Sequence, residues 1–314
     1  MQSIRQSTIY FLSVFQFLSG NVSSYAQNRI TDSSVTCIAF WKKGEERKLK
    51  ITHTKSTGSS EADMRSEAAL SYEAHVTILD SNEGGYKIRW KFRSPELHKS
   101  GDVRNGAGVP IFDGMEFLFS TSEGGMFLEL ENREQVRDNY KNLFLLSAKD
   151  TASASFKSIM EKTMAMFNTR ELVENSLIKE IQLYHSLYGL EFSRAAVKKK
   201  TMLESPYVSE RLPAITELAV TLSPVSTEFI TIAMNVQLDR SGTMKVLQEV
   251  YKRIGASEND PELKQVIKSM DISERSEHQF RLKDGWKKQV VITRISKTGS
   301  IRQAENYLIE LLED

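Results

Sequence analysis

Cysteines and metal-ligand clusters are scarce in this chain. The 314 residues contain one cysteine, Cys37, so no intramolecular disulfide can form and the core alone must hold the fold. We predict that Cys37, within the stretch Val35–Ala39, is a small buried hydrophobe on a strand. No pair of the five histidines has the spacing of a helical zinc site. The sequence therefore predicts no metal and no cofactor, and only a metal site assembled from distant residues stays open.

Catalytic motifs are also missing. There is no Gly-x-Ser-x-Gly elbow, and Gly106-Ala107-Gly108 lacks the third glycine and the following helix of a phosphate-binding loop. The glycine-rich segment 94–114 carries Asp102 and Asp113, which could face a cleft as paired acids. Because loop aspartates usually cap turns, we name no catalytic residue and favour a non-catalytic protein.

Neither sign of charge dominates the composition. The 42 basic and 41 acidic residues nearly cancel, so the chain has no electrostatic reason to bind nucleic acid. One basic row, Lys87, Arg89, Lys91 and Arg93, alternates along a predicted strand. We interpret it as a solvated sheet face that acids on the neighbouring strand, such as Glu73, partly neutralise.

No apolar run near the N-terminus is long enough to span a bilayer. The run at 9–18 is about half of the roughly 20 residues that a span requires. It follows the basic Arg5 and precedes the small residues of Ser24-Tyr25-Ala26, a pattern typical of a signal peptide. We expect cleavage between Ala26 and Gln27, an exported product that is periplasmic or secreted, and no transmembrane span after cleavage.

Alternation of apolar and polar residues is the most abundant signal. It predicts a long hairpin over 70–93 that turns at 81–85. It also predicts a first hairpin of 35–41 with 47–54, an exposed connection at 55–66, and hairpins over 115–130 and 277–296. The segment 300–312 fits either a helix or a strand, and we favour a strand because 297–300 would close a tight turn.

Helical spacing replaces alternation in the middle of the chain. From 132 to about 190, apolar residues three and four positions apart, such as Ile181, Tyr184 and Tyr188, predict amphipathic helices. Shorter helices are predicted at 241–254 and from Asp260-Pro261. We therefore predict an α+β fold in which a curved antiparallel sheet, built from N- and C-terminal strands, packs against a central helical block.

The predicted organisation is a signal peptide at 1–26 and a single domain at 27–314. Within that domain, residues 27–131 are strand-rich, 132–190 are helical, and 191–314 are strand-rich with two short helices. We expect strands from both ends of the chain to join in one sheet, since neither half of the sequence has a strand pattern that would form a complete fold by itself.

Several strand and turn patterns carry a resemblance. They are Tyr25-Ala26-Gln27, Phe40-Trp41-Lys42-Lys43-Gly44-Glu45, Gly85-Tyr86-Lys87-Ile88-Arg89-Trp90, and the segments 114–117 and 125–132. On these residues the chain resembles a group of uncharacterised secreted or envelope proteins of Bacteroidetes-type bacteria. The resemblance implies location and fold and transfers no catalytic residue. An antiparallel sheet with helices in an envelope protein is also remotely similar, by fold analogy alone, to the half-barrel carriers of lipoproteins and lipids.

These observations predict a non-catalytic secreted or cell-envelope protein that binds a hydrophobic ligand, such as a lipid, or an envelope protein partner. A large sheet whose apolar face is only partly covered by helices would enclose a hydrophobic cavity. Tyr86, Trp90, Phe117 and Phe119 are the candidate ligand-binding residues, although such a row is more often core. Two alternatives stay open: an envelope hydrolase that uses the loop carboxylates, and a structural subunit of a surface complex.

Overall fold

A computed structural model describes residues 30–99, 113–148, 178–204, 211–222, 228–253 and 269–312. The elements of the first half are β1 (Ser34–Cys37), β2 (Glu46–Gly58), β3 (Arg65–Asn82), β4 (Gly85–Lys99), β5 (Glu116–Thr121), β6 (Phe127–Leu130) and the helix α1 (Arg133–Ala148). Those of the second half are α2 (Lys179–His185), β7 (Leu190–Ser193), β8 (Val197–Glu204), β9 (Arg211–Leu222), β10 (Phe229–Leu238), α3 (Arg240–Arg253), β11 (Asp271–Arg281), β12 (Lys287–Thr298) and β13 (Ile301–Leu312).

Eleven strands form one antiparallel sheet in the order β6-β5-β4-β3-β2-β13-β12-β11-β10-β9-β8. Its centre is the pairing of β2 with β13, in which Ile51 lies opposite Ile309. This pairing joins the N-terminal strands to the C-terminal strands. β1 and β7 form a separate two-stranded sheet, with Val35 opposite Phe192.

One face of the large sheet, which we call the inner face, carries the core. The alternation in the sequence places Ile51, Val76, Trp90, Val290 and Ile309 on this face, and all are buried. They pack under β1, α2, β7 and the chain around Trp41. Burial of each large apolar side chain contributes roughly 1.5–3 kcal/mol before entropy is subtracted.

A second, smaller cluster lies on the same face beneath α3. It contains Leu212, Ala214, Val236, Leu238 and Ile272, and Met244 and Val246 of α3 pack against it. Met234 contacts both clusters. The inner face therefore carries two apolar clusters, and Met234 connects them.

The predicted α+β class with a central helical block is wrong. The described residues are mostly antiparallel strand, with three short helices. The helix over 179–185 ends before Tyr188, because Leu187 adopts a φ of 67°. Tyr188 therefore has the spacing of a helical residue and is buried, but it lies on a turn. Residues 149–177 of the predicted block lie outside the described ranges.

One prediction for the N-terminal strands is also wrong, and a second has the wrong bounds. The expected first hairpin does not form, because β1 pairs with β7 while the amides of Ala39 and Phe40 donate to the carbonyls of Gly124 and Asp284. The exposed connection predicted at 55–66 is confirmed only over 59–64, and the residues on either side of it are strand. β2 continues to Gly58 and β3 begins at Arg65, since their polar residues still pair along the sheet.

The other hairpins are confirmed: β3 pairs with β4, β5 with β6, and β11 with β12. The strand over 300–312 is confirmed as β13, and the helix predicted at 241–254 is α3. The predicted signal peptide, Asp102 and the short helix from Asp260-Pro261 lie outside the described residues. The single domain over 27–314 stays a prediction.

Candidate ligand-binding site

Strand register divides the inner face into rows of side chains that cross the sheet. Along β2, β13, β12 and β11, the first row is apolar with one histidine: Ile51, Ile309, Val290 and His278. The second is mixed: His53, Tyr307, Ile292 and Ser276. The third, which we call the ionic row, is charged: Lys55, Glu305, Arg294 and Glu274. Since rows on one face are about 6.8 Å apart, the face changes from apolar to ionic within roughly 14 Å.

Charges alternate along the ionic row, so each residue has a neighbour of opposite sign. Arg294 Nε and Nη2 donate to Glu274 Oε2 at 2.8 and 2.6 Å, and the two side chains are only 21% and 12% exposed. Burial alone would lower the pKa of Arg294, but the carboxylate of Glu274 outweighs it and raises that pKa. Opposite charges on neighbouring strands stabilise the pairing of β11 and β12.

Lys179, the first residue of α2, lies over the ionic row. Its Nζ is 3.3 Å from Glu305 Oε2 and 5.0 Å from the centre of the Tyr307 ring. Burial would raise the pKa of Glu305, but Lys179 overcomes this effect and lowers it. The side chains of Lys179 and Glu305 are 32% and 27% exposed, so this ion pair is a point where the ionic row meets solvent.

Neutral polar groups lie beside these charges. The rings of His53 and Tyr307 stack with centroids 4.1 Å apart and planes 12° from parallel. Tyr72, on the neighbouring strand, is 3% exposed. Among the described residues, neither the Tyr72 hydroxyl nor His53 Nε2 has a hydrogen-bond partner, although both atoms are buried. A buried polar group without a partner costs about 1–3 kcal/mol, so these atoms would gain from a ligand's polar group.

Burial sets the protonation of this group. It lowers the pKa of His53, which is therefore neutral at pH 7. It raises the pKa of Tyr72 and of Tyr307, with Glu180 adding to both effects. Burial also raises the pKa of the Glu180 carboxyl. We call the ionic row together with His53, Tyr72, Lys179, Glu180 and Tyr307 the polar patch.

The candidate residues Tyr86, Trp90, Phe117 and Phe119 come together in the packed core. Trp90, Phe117 and Phe119 are buried. The Trp90 ring is 5.8 Å from that of Tyr184, and the Phe119 ring is 5.0 Å from His185. The partly buried Tyr86 donates its hydroxyl hydrogen to the Ala39 carbonyl at 3.0 Å. Their ligand-binding role stays a prediction, and a ligand would have to displace α2 to reach Trp90 or Phe119.

Sequence reasoning missed the polar patch. Its residues come from β2, β3, α2, β11, β12 and β13, so no motif spacing connects them. The one available signal was the position of His53 and Lys55, which continue the inward-facing alternation of Leu49 and Ile51 in β2. Polar residues on the buried side of a strand suggest a polar site.

A second group of ionisable side chains is buried and holds α2 in place. Lys287 is 0% exposed, and its Nζ donates to the carbonyls of Tyr184 (2.5 Å) and Ser186 at the C-terminal end of that helix. Its Nζ is also 3.3 Å from His278 Nδ1 and 4.8 Å from the ring centres of Tyr188 and Phe280. Burial lowers the pKa of Lys287 well below its ordinary value. The hydrogen bonds from Lys287 satisfy carbonyls at the end of α2 that would otherwise be unpaired.

Cys37 and the loop carboxylate Asp113 have structural positions. Cys37 is buried on β1, as predicted, and burial raises the pKa of its thiol to about 12. Asp113 Oδ1 accepts a hydrogen bond from the Ser94 amide at 3.0 Å, and Ser94 itself adopts a φ of 49°. This contact fixes a backbone turn, which is the ordinary role of a loop aspartate.

The basic row on β4 is partly neutralised, although by acids other than Glu73. Lys87 Nζ is 2.5 Å from Glu131 Oε2, and Lys91 Nζ is 2.5 Å from Glu116 Oε1. Within the described ranges, no cluster of three His, Cys, Asp or Glu side chains could hold a metal ion. None of the helices in those ranges is both long and apolar enough to cross a bilayer.

Comparisons with known proteins give remote structural similarity. No protein family matches the sequence, and no curated protein matches it. Among solved structures, one titled "Lipid-protein interactions in lipovitellin" aligns with a TM-score of 0.45 and 9% identity over 87% of this chain. This chain spans 25% of the length of that protein.

Two further structures align more weakly. Rv2717c from M. tuberculosis has a TM-score of 0.21 and 7% identity over 84% of this chain and 91% of its own. A porin-like protein from Bacteroides uniformis has a TM-score of 0.18 and 7% identity over 88% of this chain and 99% of its own.

Proposed function

We propose that this protein is an exported, non-catalytic binding protein that takes up a lipid-like ligand on the inner face of its large sheet. The observation that supports this proposal most directly is the mixed row of side chains. Beyond β2 and β11 it continues to Leu70 on β3 and to Met234 on β10. Both residues are only partly buried, so apolar side chains lie on either side of polar ones.

Such a row matches the chemistry of an amphiphile. On β9 the row continues to Leu218, which lies opposite Met234. The row therefore crosses the seven neighbouring strands β3, β2, β13, β12, β11, β10 and β9, and their six spacings of roughly 4.8 Å correspond to about 29 Å. Apolar contacts favour a hydrocarbon chain by about 25 cal/mol per Å² removed from water. Polar groups within the row would fix the ligand's orientation.

The most reactive side chains support a non-catalytic role. His185, His278 and Lys287 are buried, and His185 Nδ1 is 2.9 Å from the Gly125 carbonyl oxygen. Burial lowers the pKa of His185 to about 3 and that of His278 well below its ordinary value. These groups therefore act as neutral packing and hydrogen-bonding elements.

Native mass spectrometry of the mature protein tests the proposal. The form from Gln27 to Asp314 would be purified from its native envelope and measured before and after organic extraction. We expect a reproducible adduct that extraction removes, and mature chains that begin near Gln27. A spectrum with only the ligand-free mass would contradict ligand uptake, and chains that begin at Met1 would contradict export with cleavage.

A matched pair of variants connects the adduct to the inner face. Leu70→Lys places a charge in the mixed row and should abolish the adduct. Leu128→Lys changes an apolar residue on β6 that is 44% exposed and should leave it unchanged. Equal adduct levels in both variants would place the ligand elsewhere.

A further inference from the structure

We propose that the polar patch recognises the polar group of an amphiphile without net charge, through hydrogen bonds to the Tyr72 hydroxyl and His53 Nε2. This inference rests on the proposed function and names the class of its ligand. The polar group would be built from hydroxyls, esters or amides, because hydroxyls and amides donate and accept hydrogen bonds, and ester oxygens accept them, without carrying charge.

The two proposed contact atoms share one neighbourhood. The His53 ring stacks on Tyr307 at 4.1 Å, and Glu180 and Tyr307 influence the ionisation of the Tyr72 hydroxyl. Both atoms are buried without a hydrogen-bond partner among the described residues. Because Tyr72 keeps its proton and His53 is neutral, they offer uncharged hydrogen-bonding groups to a ligand.

The charges of the polar patch argue against an ionic ligand. Its cations are Lys55, Lys179 and Arg294, and its carboxylates are Glu180, Glu274 and Glu305, which are equal in number. Two of the cations already pair within the patch, Lys179 with Glu305 and Arg294 with Glu274. A charged polar group would have to break one of these pairs or pair with Lys55 or Glu180, and in either case its desolvation is unfavourable.

In this proposal the ligand enters beside the Lys179–Glu305 pair. Both side chains are partly exposed, and the Lys179 Nζ lies over the Tyr307 ring. Movement of this long, flexible side chain would open a path from solvent to the His53–Tyr307 stack. Deeper in the patch, Tyr72 packs on Phe92 with ring centres 4.2 Å apart, so an apolar surface adjoins the hydrogen-bonding groups.

Three amphiphiles with the same chain length test this inference: monopalmitoylglycerol, which is uncharged, palmitate, which is anionic, and hexadecyltrimethylammonium, which is cationic. Binding to the protein from Gln27 to Asp314 would be measured by displacement of Nile red. We expect monopalmitoylglycerol to bind at least about tenfold more tightly than either charged amphiphile, since charge burial is disfavoured.

Ring-conserving variants identify the contact atoms. Tyr72→Phe keeps the ring and removes the hydroxyl, and His53→Phe keeps a flat ring at this position and removes both imidazole nitrogens. Each should weaken monopalmitoylglycerol binding about 5- to 10-fold. Tyr140→Phe on α1, outside the polar patch, should bind like the wild type. Tyr72→Phe should also raise the melting temperature of the ligand-free protein, because it removes a buried hydroxyl that lacks a partner.

The outcomes separate this inference from the proposed function. If the amphiphiles bind but charge and the two variants make no difference, recognition by the polar patch is refuted and the proposed function stands. If none of the three displaces Nile red, both are refuted. A lower melting temperature for Tyr72→Phe would show that its hydroxyl has a structural role and would overturn its assignment as a ligand contact.

Discussion

Replacement of Lys287 by methionine tests how α2 is held against the inner face. Methionine has a similar length and volume, so the packing should be kept. The carbonyls of Tyr184 and Ser186 would lose their buried donor, at about 1–3 kcal/mol each. Relief from the desolvation of the buried amine offsets part of this loss. We expect the free energy of unfolding to fall by about 2–4 kcal/mol near pH 9.

The pH dependence of this difference has a definite sign. Burial lowers the pKa of Lys287 from 10.5, so between the folded-state pKa and about pH 10.4 the unfolded chain holds a proton on this group that the folded chain has released. The free energy of unfolding therefore rises with pH in this window, by up to about 1.4 kcal/mol per pH unit. The deficit of Lys287→Met should be smaller at pH 7 than at pH 9.

Urea denaturation followed by tryptophan fluorescence at both pH values measures the effect. A shift of the midpoint with unchanged slope reports stability alone. The neighbouring Lys288 is exposed, with its Nζ 4.8 Å from the centre of the Phe229 ring, so Lys288→Met should stay within about 0.5 kcal/mol of wild type. Equal stability of Lys287→Met and wild type, or a deficit that grows as the pH falls, would refute the reasoning.

Three further predictions concern buried positions. A Cβ on Gly285 would lie 2.3 Å from the Ile38 carbonyl oxygen, whereas one on Gly44 would meet nothing within 4 Å. Gly285→Ala should therefore lower the free energy of unfolding in urea by at least about 2 kcal/mol more than Gly44→Ala, and equal losses would argue against the close approach. Because burial raises the pKa of Cys37 to about 12, a disulfide reagent near pH 8 should label it only after unfolding, and equally fast native labelling would be inconsistent. Burial lowers the pKa of His185 to about 3, so folding stability measured in urea should fall as the pH drops from about 6.5, by up to about 1.4 kcal/mol per unit. His185→Gln should make that slope smaller, while buried His278 still contributes in the same direction, and an unchanged slope would mean that His185 is not responsible.

The sequence predicts the long hairpins because each strand carries its own period of two and its own turn residues. β3 and β4 turn at 82–85 as expected. β1 could not be paired correctly, since it has only four residues and its partner β7 begins at Leu190. Tyr188 suggested a longer helix because a buried residue after a helix can match the helical spacing by chance.

The candidate site was less predictable than the strands. Pairing of β2 with β13 brings His53 opposite Tyr307, and α2 adds Lys179 from a third part of the chain. No local sequence pattern specifies that these three residues come together. Aromatic residues on a strand, in contrast, predict burial, and Trp90, Phe117 and Phe119 are buried, but burial does not distinguish a ligand surface from a packed core.

Photocrosslinking most directly tests whether the inner face binds an amphiphile through the polar patch. A monopalmitoylglycerol analogue with a diazirine in its polar group would be irradiated with the protein from Gln27 to Asp314, and labelled peptides would be identified by mass spectrometry. We predict labelling of peptides that contain His53, Tyr72, Lys179 or Tyr307, suppressed by excess monopalmitoylglycerol. Labelling confined to the edge strands β6 and β8, or to the basic row on β4, would contradict binding at the inner face.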